Sequence, residues 1–63
     1  MLDNNIYNIC RQLTEENTSL WRIKDVYLKD AGGNKELETF WNKMKADKEA
    51  HVKELLDLLK KYS

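Results

Sequence analysis

A chain of 63 residues with one cysteine has little core of its own, since chains below about 70–80 residues rarely gain more than ~3–5 kcal/mol that way, and it cannot add an internal disulfide. Eleven Lys and Arg balance eleven Asp and Glu with the signs interleaved, so no basic patch suited to phosphates is present and nucleic-acid binding is not expected. The start MLDNNIYNIC has neither a charged leader nor a long apolar run, and no stretch approaches the ~20 apolar residues of a membrane span, so a soluble, cytoplasmic protein without membrane contact is the expectation.

The first predicted element is a helix over about 3–31, because Leu2, Ile6, Ile9, Leu13, Leu20, Ile23 and Tyr27 recur at spacings of three and four and share one face. Cys10, on or beside that face, reads as a small core residue rather than a reactive thiol. In TEENTSLW, Thr14 could cap a new helix, so a break there competes with one continuous helix; the apolar face stays in phase across it. A turn is predicted over about 32–34 in DAGGNKELE. Gly32 suits the left-handed residue that ends a helix, Asn34 suits the cap of the next, and Glu36 and Glu38 sit toward its positive end.

The second predicted helix runs over about 35–62, with Leu37, Phe40, Trp41, Met44, Leu55, Leu58, Leu59 and Tyr62 on one stripe and Lys60 and Lys61 at its negative end. Each helix would be about 28 residues and about 42 Å long. The fold class is all-α: an antiparallel two-helix hairpin forming a single domain. Two helices alone leave half of each stripe in water, and Val52, Leu56 and Leu59 widen the second one. Pairing two hairpins into a four-helix bundle would cover both flanks, so a homodimer is the smallest expected assembly.

Each stripe has a gap filled by ionisable residues. On helix one the gap is Glu16, within about 40° of the apolar centre line; on helix two it is Lys48 and His51, about 30° to either side of theirs. Reversing the chain at Gly32 and Gly33 sets Glu16 level with Glu49 and Ala50, so Glu16, Lys48 and His51 are expected in one inward-facing polar layer. Buried ionisable groups are costly unless paired or metal-bound.

A glutamate on a first helix, a turn, and a second helix carrying Glu-x-x-His some thirty residues later is the half-site of the ferritin-like and rubrerythrin-like di-iron bundles. The stretch EENTSLWRIKDVYLKDAGGNKELETFWNKMKADKEAHVKELLDLL resembles such a half. The resemblance implies a dimeric four-helix bundle in which Glu16 and His51 would be iron ligands. Lys48 stands where the family has its bridging glutamate, and an ammonium has no lone pair to give and repels a cation. One reading is therefore a non-catalytic ferritin-like hairpin with a structural or partner-binding role and no cofactor, in which Glu16 and Lys48 form a buried ion pair and His51 lies neutral and hydrogen-bonded beside them. The alternative is a metal site for iron, manganese or zinc using Glu16, His51 and Asp47, since Asp47 and His51 are four apart on one face. A hairpin unrelated to ferritins, such as a coiled-coil adaptor, would let Lys48 snorkel to the edge. No nucleophile–base pair, phosphate loop or zinc-finger spacing is present, and catalysis by side chains alone has little material. Trp21, about 100° off the apolar face, suggests an exposed contact surface.

Overall fold

In the computed structural model, residues 4–63 are described, and the chain is all-helical: α1 (Asn4–Arg22), a π-helical turn (Ile23–Tyr27), α2 (Leu28–Ala31) and, after a short turn, α3 (Lys35–Tyr62). Leu2 and the expected helix start near Asp3 lie outside the described residues. The first three elements form one rod, because Arg22, Tyr27 and Leu28 all keep right-handed helical backbone angles at the junctions. It packs against α3 in a molecule measuring 48 × 16 × 11 Å, two helices wide and one deep.

The break considered at Thr14 does not form. The Thr14 hydroxyl donates to the Cys10 carbonyl at 3.1 Å, and that of Thr18 donates to the Thr14 carbonyl at 3.0 Å, so both are used within the helix. Irregularity falls two turns later instead, where the Leu28 amide donates to the Ile23 carbonyl, five residues back. Ile23, Tyr27 and Ala31 are separated by two consecutive steps of four, and in an α-helix each such step carries the stripe about 40° around the axis. A π turn absorbs that drift and keeps all three directed at α3.

The reversal satisfies both helix ends. Gly32 ends α2 in the left-handed region, at φ 43° and ψ 54°, and Gly33 follows at φ 90°. The Asn34 amide donates to the Ala31 carbonyl at 2.9 Å, while its side-chain oxygen caps α3 by accepting from the Leu37 amide at 3.2 Å. Glu38 reaches back to accept from the Gly33 amide at 3.3 Å, so a carboxylate also lies at the positive end of α3.

The core is small. Ile23 is fully buried and Ala31 nearly so, and beside them the Tyr27 ring packs on Trp41 with centroids 4.6 Å apart, with Phe40 edge-on to Trp41 at 5.0 Å. Ile6, Ile9, Leu13 and Leu20 of α1 and Trp41, Met44, Val52, Leu55 and Leu59 of α3 are half-buried. One hairpin uses only part of the α3 stripe, and Leu37, Phe40, Leu58 and Tyr62, expected on the inward face, are exposed. Cys10 is exposed rather than part of the core. It follows Ile9 by one residue, hence about 100° around the helix, and so turns away from α3. Trp21 is 58% exposed. No helix among the described residues is long and apolar enough to cross a membrane.

Candidate functional site

The most deeply buried polar side chain among the described residues is Glu16, midway along α1, whose carboxylate is 7% exposed. A lone carboxylate there would be expensive, and three neighbours compensate it. Gln12, one turn earlier on the same face, donates from Nε2 to Oε1 at 3.0 Å. Lys48 reaches across from α3 and sets Nζ 3.0 Å from Oε2, with its side chain 26% exposed at the edge of the seam. That contact is ionic, for no donor is aligned on Oε2 as a hydrogen bond. His51, one turn further along α3, places Nδ1 3.6 Å from Oε1 and is 53% exposed.

Glu16, Lys48 and His51 are thus brought together across the two helices. Their roles are unequal: Glu16 is enclosed, Lys48 covers it with the stem packed and the ammonium reaching inward, and His51 stands at the margin. The hydrogen bond expected of His51 does not form, because 3.6 Å exceeds hydrogen-bond distance and half the side chain meets solvent. Burial pushes the Glu16 carboxyl up, but the Lys48 ammonium, the Gln12 amide and the charge of His51 together outweigh it and hold the group below its ordinary value.

Asp47 is not drawn in. It precedes Lys48 by one residue, so it points about 100° away around α3, and it is exposed. Among the described residues no three His, Cys, Asp or Glu side chains converge in a way that could hold a metal ion. A di-iron centre of the ferritin type needs bridging carboxylate oxygens, whereas here an ammonium sits against the buried Glu16 carboxylate. Within a single hairpin these residues do not fit that centre. Gln12 was not anticipated as a member of the layer; its position four residues before Glu16 was the available signal.

Beyond this layer, Asn5, Asn8 and Ile9 of α1 with Leu58 and Tyr62 of α3 line an open groove; Leu58 follows His51 by seven residues and so shares its side of α3. The groove places an amide edge beside the apolar edge of α3. No protein-family model, characterised protein or solved structure matches the chain.

Proposed function

We propose that the chain is one half of a ferritin-like four-helix bundle, a non-catalytic homodimer with a structural or partner-binding role, in which an internal ion pair stands in place of metal. The observation that carries this reading is the buried Glu16 carboxylate with the Lys48 ammonium 3.0 Å away; the ferritin-like resemblance would put a metal ligand at Glu16. Charge is balanced there by the protein alone. The pair then serves register, because a helix slipped by one turn leaves the carboxylate buried opposite an apolar residue. Dimer formation is supported by the exposed Leu37, Phe40, Leu58 and Tyr62 on α3.

The test is the mass of the 63-residue protein in solution, combined with metal analysis after challenge with iron and with manganese. A dimer without stoichiometric metal is the expected result. Stoichiometric iron or manganese in that dimer would overturn the ion-pair reading in favour of a metal centre drawing on Glu16, His51 and Asp47.

A further inference from the structure

The exposed apolar residues on one side of α3 are laid out symmetrically along the helix; Leu56, also exposed, precedes Leu58 by two residues and so lies about 160° around the axis from it, off this stripe. Taking Glu49 and Ala50 as the midpoint, Leu37 lies as far before it as Tyr62 lies after it, Met44 matches Leu55, and Phe40 matches Leu58 to about a residue, given the uniform rise of an α-helix. Leu37, Phe40, Leu58 and Tyr62 are exposed, and Met44 and Leu55 are half-buried at the edge of the α1 contact. Such a palindromic stripe is what a helix needs to pair antiparallel with its own copy, since a twofold axis brings residue i to j and j to i.

The charges agree. On the rim of the same stripe, Glu36 and Lys61 flank the midpoint at similar distances, as do Lys43 and Glu54, and Asp47 and His51 lie either side of it. Under a twofold at this point every one of these pairs is of opposite or compatible sign, whereas a parallel pairing would set each residue against itself. Among the described residues Asp47 has no ion-pair partner in its own chain. Asn5 and Asn8 of α1, which line the groove beside Leu58 and Tyr62, are uncharged, as is Gln12 one turn further on.

We infer that α3 packs antiparallel on α3 of a second copy of this chain about a twofold axis near Glu49 and Ala50, so that Asp47 of the partner subunit meets His51 beside the buried Glu16. This inference rests on the homodimer proposed above and specifies its seam. Because Glu16 lies level with the same midpoint, the axis passes through the polar layer. Each layer then gains an acidic side chain that a single hairpin does not supply, and His51 lies between Glu16 of its own chain and Asp47 of the partner subunit.

The experiment combines sedimentation equilibrium with spin-label distances in the full chain carrying Cys10→Ser. Labels on Ala50→Cys are expected about 20 Å apart and labels on Lys35→Cys about 40 Å apart, because an antiparallel pair separates positions in proportion to their distance from the axis. Asp47→Lys is expected to weaken dimerisation about tenfold, and Asp47→Glu, which keeps the carboxylate, to leave it within about threefold of the parent. A dimer whose two label pairs are equally spaced, or that is indifferent to Asp47→Lys, overturns this seam and leaves the homodimer standing. A monomer at every concentration overturns the homodimer and the seam with it.

Discussion

At the scale of single residues, Glu16 and Lys48 are asymmetric partners, and their substitutions should show it. Removing the ammonium by Lys48→Met leaves the carboxylate buried without its countercharge, which costs about 3 kcal/mol, the low end for breaking a buried pair because Gln12 still donates to it. Glu16→Gln should cost less, about 1–2 kcal/mol, since Lys48 can straighten toward the solvent it already partly meets. Denaturant titrations of the two variants measure the difference, and equal losses would mean that Lys48 is as enclosed as its partner. The acid limb gives a second check. Because the folded carboxyl titrates below its ordinary 4.5, Glu16 contributes stability that is complete above about pH 4.5 and is lost as the pH falls through the lower folded value. Glu16→Gln should flatten that part of the pH profile, and in Lys48→Met, where the ammonium no longer holds the carboxyl down, the contribution should shrink. Lys48→Glu, which restores Glu-x-x-His, sets two carboxylates against one another; it should lower the apoprotein's melting temperature and let manganese or iron raise it. No uptake of either ion by that variant would count against the ferritin-like reading.

At the scale of elements, the reversal is where local chemistry is most exposed to test. An added Cβ at Gly32 meets only the carbonyl oxygens of Asp30 and Lys29 at ordinary distance, 3.7 Å each, so Gly32→Ala should be opposed by its left-handed backbone alone, by about 1–2 kcal/mol. Asn34→Ala removes the acceptor for the Leu37 amide and should cost about 1 kcal/mol. Thermal melts of both variants provide the measurement, and a neutral Gly32→Ala would mean that the turn relaxes to another form. The two-helix all-α fold was legible because the apolar period, the adjacent glycines and the capping asparagine all point to the same reversal. The inward position of Glu16 and Lys48 was legible for a related reason, since a gap in an otherwise regular stripe has a direction. The π turn at Ile23–Tyr27 was not, because two successive steps of four remain compatible with an α-helix until the opposing surface fixes where Tyr27 and Ala31 must point. His51 joins the layer but at its exposed margin, and Cys10 lies outside the core, because a residue some tens of degrees from a centre line falls inside or outside according to which part of a wide stripe the partner helix occupies. In α3 the contact with α1 takes the edge that includes Trp41, Lys48 and Val52, which leaves His51 and Leu58 toward the open side.

At the scale of the whole molecule, one hairpin 11 Å thick along its shortest axis has a single seam in which to bury side chains, and among the described residues Ile23 is the one large apolar side chain there that is fully enclosed. Truncating an enclosed isoleucine to alanine costs about 2–5 kcal/mol, which is comparable to the whole margin of ~3–5 kcal/mol available to a chain of this size. Ile23→Ala should therefore leave an isolated hairpin largely unfolded. If the folded state is held by association, stability rises with concentration, because a partner that binds only the folded chain pulls the equilibrium toward it. Circular dichroism of Ile23→Ala should then show helix content and melting temperature increasing as the protein is concentrated, while Trp21→Ser, at a residue 58% exposed, stays within about 0.5 kcal/mol of the parent at any one concentration. A variant whose helix content is high and independent of concentration would locate enough stability within one chain to make the second copy unnecessary.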